Sequence, residues 1–368
     1  MIDEHHVYAT VAEIFEAYHA EKMSADEAIA QLTECIQRTP QQAAVYGLNH
    51  HNHEQCRLWV MHQFEVYQTY WSPFQQLCQD TLCISPSPSA LLWMLWIPLA
   101  IRLIELHHAA QRPVIQGILG GQGTGKTTLA TVVSHLLEEL GYRVCGLSID
   151  DLYKTHEERQ ELRSVDPRLR WRGPPGTHDV SLGLQVLKAL KQPKSTTPIE
   201  IPRFDKSLHG GSGDRIAPES IEGADIVLFE GWFVGVRPIS PSAFENAPSP
   251  IHTDADRQFA RDMNEKLADY VPLWEELDQL MVIYPTDYRL SQQWRQQAED
   301  KMKAQGKTGM SNEEIQEFVN YFWRSLHPDL FITPLLHRPD LVDWVVQVNR
   351  DRSIHSMYVP STDTSPEG

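Results

Sequence analysis

An apolar run, Val114-Ile115-Gln116-Gly117-Ile118-Leu119, leads directly into Gly120-Gly121-Gln122-Gly123-Thr124-Gly125-Lys126-Thr127-Thr128, and Leu129-Ala130-Thr131-Val132-Val133 follows at once. The central string spells G-x-x-x-x-G-K-T between a strand-like and a helix-like segment, the context that a phosphate-binding P-loop requires. Its glycines admit positive φ and let several N–H groups converge on one anion. The N-terminus of the next helix adds a partial positive charge. Lys126 is expected to reach the β- and γ-phosphates, and the Thr127 hydroxyl to ligate Mg²⁺. The loop binds a nucleoside triphosphate, and that constrains everything around it.

From Pro113 onward, strand-like and helix-like segments alternate, the pattern of a parallel α/β sheet. Residues 143–149 read as a second strand ending in Asp150-Asp151, and Ile226-Val227-Leu228-Phe229 as a strand ending in Glu230-Gly231. Residues 280–284 form another and residues 344–348 the last; residues 181–191 have helical period, and the two prolines of residues 198–202 hold that segment extended. Before residue 112 no strand signal is clear. Ser24-Ala25-Asp26-Glu27 is a capping box, and Ile29, Leu32 and Ile36 then fall on one helical face. Residues 53–71 form a long amphipathic stretch rich in aromatics, and residues 90–108 an apolar helix. The fold expected is α/β, a P-loop NTPase-type parallel sheet flanked by helices over residues 112–358. An all-helical extension over residues 1–111 caps it, and residues 359–368 form a disordered tail.

Charge and cysteine usage narrow the function classes. A formal net charge of -17 argues against nucleic acid and anionic membrane as partners, since both select basic surfaces. Cys35, Cys56, Cys78, Cys83 and Cys145 are odd in number and lack CxxC spacing, which reads as reduced thiols in a cytoplasmic compartment. The opening residues Ile2-Asp3-Glu4-His5-His6 are polar and acidic, so no signal peptide is expected. The apolar run over residues 90–103, interrupted by Pro98, is too short to span a bilayer and reads as a buried helix. His50-His51-Asn52-His53 has no matching second cluster of ligands and reads as a helix start, not a metal site. Oligomeric state leaves no trace in the sequence.

In open α/β sheets, ligands lie at the carboxyl ends of the strands. Three such ends here carry the P-loop, Asp150-Asp151 and Glu230. Together they supply a phosphate cradle, carboxylate support for a metal, and a base for an attacking hydroxyl. Asp150-Asp151 also suits a helix N-cap, and Glu230 a solvated strand end. The loops Arg172-Gly173-Pro174-Pro175-Gly176-Thr177-His178-Asp179 and residues 203–215 put Arg and Lys beside glycines, which suits a small anionic substrate. Arg289, Arg295, Lys301, Lys303 and Lys307 lie on a polar helix of the kind that closes over ATP and excludes water.

GxxxxGKTT, SIDDLY and a strand ending in FEGW resemble the kinase group containing uridine kinase, phosphoribulokinase and bacterial pantothenate kinase. In that group the Asp opening a D-x-[FL]-Y element is the catalytic base, which maps onto Asp150. The strings RGPPGTHD, PRFDKSLHGGSGDR and FEGWFVG resemble the P-loop D-glycerate 3-kinases of plants and cyanobacteria, over roughly residues 113–358. Trp294-Arg295-Gln296-Gln297-Ala298-Glu299 is similar to their lid helix. The resemblance implies ATP and Mg²⁺ as cofactors, D-glycerate as the small-molecule acceptor, 3-phosphoglycerate as product, and a place in photorespiration. It implies Asp150, Lys126 and Arg295 as catalytic groups, and Thr127 and Glu230 as metal ligands. Arg203, Lys206 and Arg215 are then candidates for the glycerate carboxylate, and His178, with Asp179 beside it, for a hydroxyl. Two alternatives stay open: a related kinase for another small alcohol, and a non-metabolic P-loop ATPase.

Overall fold

The computed structural model describes residues 7–193, 197–304 and 310–361. The expectations for the opening residues 1–6, for Lys307 and for residues 362–368 of the tail lie outside the described residues, as does the side chain of Lys301.

The strand that feeds the P-loop, β1 (Val114–Gly120), is buried along its whole length. With it, six strands form the main sheet: β2 (Val144–Ser148), β5 (Ile226–Gly231), β1, β6 (Gln279–Pro285), β7 (Trp344–Val348) and β8 (Ile354–Tyr358), in that spatial order. The pairs β2–β5, β5–β1, β1–β6 and β6–β7 are parallel. Parallel strands covered on both faces read as continuous apolar runs, which is why these were legible.

Two strands were not anticipated. β8 follows β7 after a short turn and pairs with it antiparallel, so the sheet is mixed at one edge and residues 344–348 are not its last strand. The turn closes with Asn349 N donating to Ser353 O at 2.9 Å, too short a connection for a parallel crossover. β3 (Ile199–Asp205) and β4 (Asp214–Ile221) form a separate antiparallel hairpin. β4 is exposed on most of its residues and polar in sequence, so it carries no core pattern to be read.

Successive side chains on each strand point to opposite faces. Val114 and Ile118 of β1 join Leu228, Met281, Ile283 and Val346 in a core built with the N-terminal helices and the P-loop helix Lys126–Glu139. Ile115 and Leu119 join Val227, Phe229, Val282 and Val345 in the opposite core, with the helix Val180–Leu190. Residue 111 therefore marks a change of secondary structure inside one shared core. The Tyr70 hydroxyl, on the N-terminal helix His53–Leu77, lies 2.9 Å from His135 Nδ1 of the P-loop helix.

Among the described residues one helix, Ser89–Ala110, is long and apolar enough to cross a membrane. It runs past the expected residues 90–108 at both ends, and Pro98 does not break it. A π-turn over Leu92–Trp96 precedes the proline, and the carbonyls this frees are taken by other helices: Gln63 Nε2 donates to Trp93 O and the Tyr46 hydroxyl to Met94 O, both at 2.6 Å. Leu92, Trp93, Ile97, Leu99 and Leu103 are buried in the core. The five cysteines are free thiols, with Cys83 exposed.

Candidate active site

At the carboxyl ends of β1, β2 and β5 lies a cleft of about 900 Å³. The P-loop forms its floor. Gly123 and Gly125 adopt φ of +79° and +93°, which folds the loop back on itself before the helix starts at Lys126. The first N–H groups of that helix have no intrahelical acceptor and face the loop side. Lys126 Nζ donates to Gly121 O at 3.0 Å, holding the ammonium over the cradle. Burial pushes its pKa down, against the pull of the Glu230 and Asp150 carboxylates.

The Thr127 hydroxyl donates to Glu230 Oε1 at 3.4 Å, across from the end of β5. A hydroxyl and one carboxylate are hard oxygen donors, and Mg²⁺ is ordinarily held by one or two such groups plus phosphates and water. The donor set fits that ion. Among the described residues no group of three or more His, Cys, Asp or Glu forms a complete metal cage.

The two acids after β2 are separated by their partners. Asp151 closes a capping box: its carboxylate accepts from Ser148 N at 3.0 Å and pairs with Arg203 at 3.2 Å. Asp150 faces the cleft, where Lys206 Nζ lies 2.6 Å from its Oδ2. Burial raises the Asp150 pKa, but Lys206 and the Tyr153 hydroxyl more than offset this and leave it below the ordinary carboxylate range. Burial leaves Asp151 raised despite the Ser148 amide and Arg203.

The helix Leu290–Ala304, expected as the lid, contributes Arg295, which pairs with Glu299 and lies 5.0 Å over the Phe318 ring. Both Arg295 and Glu299 line the cleft. Two other cations expected there are engaged elsewhere: Arg289 pairs with Asp287 at 3.2 Å, and Lys303 donates to Met310 O at 2.6 Å.

Four residues expected at the acceptor are not among those lining the cleft. Arg203 is taken up by Asp151, Gly146 O and Glu219, the last at 2.6 Å. Arg215 donates to Tyr153 O at 2.8 Å and pairs with Asp179 at 3.1 Å. Asp179 also caps the helix Val180–Leu190, accepting from Leu182 N at 3.0 Å. His178 is buried, shares a 2.8 Å hydrogen bond between Nδ1 and the Tyr270 hydroxyl, and is pushed down to about 3 by burial, so it stays neutral. It stacks 4.5 Å from Tyr153. These side chains hold Tyr153 and its surroundings, one layer behind the residues that line the cleft.

In their place the cleft is lined by Arg159, Arg163, Arg170, Trp171 and Arg172. Only Arg172 sits in a loop that the sequence marked out. Arg352 was missed as well: its Nε donates to Gly123 O at 2.8 Å, and its guanidinium lies 5.0 Å over Trp294 at the root of the lid helix. Nothing local distinguishes these arginines from solvated ones.

No family model matches the chain. An uncharacterized kinase of Schizosaccharomyces pombe is 36% identical over 219 residues, covering 57% of this chain and 79% of that protein. The chloroplastic D-glycerate 3-kinase of Arabidopsis thaliana is 32% identical over 269 residues, covering 67% of this chain but only 57% of that enzyme. Among solved structures, the D-glycerate 3-kinase of Cryptococcus neoformans superposes with a TM-score of 0.59 at 28% identity, over 70% of this chain and 95% of that one. The cleft thus belongs to a phosphotransferase with an alcohol as acceptor. The chain belongs to the P-loop kinase family that its Schizosaccharomyces pombe relative represents, and it is similar to the D-glycerate 3-kinases.

Proposed function

We propose that the protein transfers the γ-phosphate of ATP to the 3-hydroxyl of D-glycerate, giving 3-phosphoglycerate and ADP. The observation that carries this reading is Asp150: a carboxylate held ionised, facing the P-loop across an open cleft, in a chain related to two D-glycerate 3-kinases. As the acceptor oxygen bonds to the γ-phosphorus and the bond to the β-bridging oxygen breaks, Asp150 accepts the hydroxyl proton. Lys126 and Arg295 line the same cleft and would stabilise the charge that accumulates on the phosphoryl oxygens. Thr127 and Glu230 would hold Mg²⁺, which when bound neutralises charge on the β- and γ-oxygens. The transition state is loose, so positioning carries most of the rate. The free thiols support a reducing, cytoplasmic compartment.

Incubation of the protein with ATP, Mg²⁺ and D-glycerate, coupled to ADP detection and product identification, tests this directly. Formation of 3-phosphoglycerate is expected, with little ATP turnover when the acceptor is left out. Phosphorylation of another small alcohol from a metabolite panel in preference to glycerate would overturn the acceptor assignment. ATP hydrolysis that is indifferent to any acceptor would overturn the kinase reading itself.

A further inference from the structure

Several of the arginines in and behind the cleft are neutralised. Arg203, Arg215, Arg170 and Arg295 each pair with a carboxylate. Arg159, Arg172 and the exposed Arg163 do not. Among the described residues neither Arg159 nor Arg172 takes part in an ion pair, and their hydrogen-bond partners are main-chain carbonyls. Arg159 donates to Lys154 O at 2.9 Å, Ser212 O at 2.7 Å and Gly213 O. Arg172 donates to Gly211 O at 2.6 Å. A carbonyl orients a guanidinium without cancelling its charge, and each fork keeps donors to spare.

The two groups also share a support. The Arg159 guanidinium carbon lies 5.2 Å from the Phe204 ring centre, and that of Arg172 lies 5.7 Å from the same ring and 5.9 Å from Tyr153. Both are half-buried and both line the cleft. Burial, and then repulsion from Arg172, push the Arg159 pKa down; Asp214 pulls the other way. Asp214 is engaged, accepting from His156 N at 2.7 Å and Arg215 N at 2.9 Å and lying 3.0 Å from His209 Nε2. Two like charges drawn together and partly desolvated without a carboxylate are unfavourable unless an anion arrives. The glycine-rich turn after β3 exists in a form that anchors them, since Gly211, Ser212 and Gly213 supply the carbonyls.

We propose that Arg159 and Arg172 form a clamp for the carboxylate of the acceptor, seated on Phe204 and on the turn over residues 208–213. This rests on the reading of the acceptor as a hydroxy acid. Tyr153 links the clamp to the chemistry: its ring lies under Arg172 and its hydroxyl bonds to Asp150. An acceptor with its carboxylate in the two forks presents its far hydroxyl toward Asp150. The ATP phosphates already have the P-loop and Lys126, so the clamp serves the second substrate. Arg203 and Arg215 work behind it, fixing Asp151 and the Tyr153 main chain.

The test is steady-state kinetics of the full chain carrying Arg159→Gln or Arg172→Gln, with D-glycerate, with uncharged glycerol, and with ATP varied. Loss of one charge-assisted contact is expected to lower kcat/KM for glycerate by about ten- to a hundred-fold. KM for ATP should stay near that of the wild type, and the loss with glycerol should be smaller, because it has no carboxylate to release. Arg172→Lys, which keeps the charge but not the fork, should fall between wild type and Arg172→Gln, and it serves if the Gln variant fails to fold. Unchanged kinetics with glycerate, in a wild type that uses glycerate, overturn the clamp and leave the kinase reading intact. A rise in KM for ATP in place of that for glycerate also overturns it, assigning these arginines to the phosphates. If the wild type does not use glycerate, the acceptor reading fails separately. The clamp is then judged on a panel of small alcohols with and without a carboxylate, where a preference for uncharged acceptors refutes it.

Discussion

Gly123→Ala is expected to uncouple the P-loop from the lid. At φ +79°, an added Cβ carries the left-handed penalty of about 1–2 kcal/mol. It would also stand 2.5 Å from Trp294 Cβ, 3.2 Å from its Cγ and 3.3 Å from its Cε3. Trp294 cannot turn away. Its indole is buried, its Nε1 donates to Arg350 O at 2.9 Å, and the nearest obstructing atom is a Cβ whose position is set by the helix backbone. Overpacking of this kind costs about 1–3 kcal/mol more. The total, roughly 2–5 kcal/mol, is relieved most easily by moving the loop out of its phosphate-binding form. ATP affinity should therefore fall by at least about tenfold. Titration calorimetry with ATP measures this, and thermal unfolding follows stability alongside. Gly47→Ala isolates the strain alone, because Gly47 has φ +70° and nothing within 4 Å of an added Cβ. Adding Trp294→Ala to Gly123→Ala should not restore binding, since alanine retains the obstructing Cβ. A Gly123→Ala protein that binds ATP like the wild type at an unchanged midpoint would refute the seating of the lid helix on the loop.

Three further outcomes are expected. Lys126→Ala should abolish transfer while the protein stays folded, because Lys126 bonds only to its own loop at Gly121 O; a folded variant with near-normal turnover would sink the P-loop assignment. Asp150→Asn should lower kcat by about a hundred- to ten-thousand-fold with little change in ATP binding, as removal of a general base does, whereas Asp151→Asn should mainly lower the unfolding midpoint by weakening the Ser148 cap and the Arg203 pair. The reverse ranking would exchange their roles. Lys206→Met removes the cation that holds the Asp150 pKa down and leaves burial, which raises it. The base is then protonated at higher pH, so the acid limb of the pH–rate profile should move upward, and an unmoved limb would detach Lys206 from the base.

The features legible in the sequence are those whose physics is local. A P-loop needs glycine at positive φ, a lysine and a hydroxyl within a few residues of one another, and all of these lie inside one stretch of chain. The parallel strands were legible because burial on both faces demands unbroken apolar runs. The capping box at Ser24 and Glu27, present in the structure, is a contact across three residues. Tertiary structure alone decided which cations remain free. Arg203 looks like a carboxylate binder until folding brings it to Asp151, 52 residues away in the chain. Arg172 looks like one charge in a turn until it meets Gly211, 39 residues on, beside Arg159 and over Phe204. A guanidinium carries the same charge in every context, so its role depends on which oxygens lie within about 3 Å, and that distance is set by packing between segments remote in sequence. The same holds for Asp150 and Asp151, adjacent in the chain and turned to different partners by a single helical turn at the end of β2.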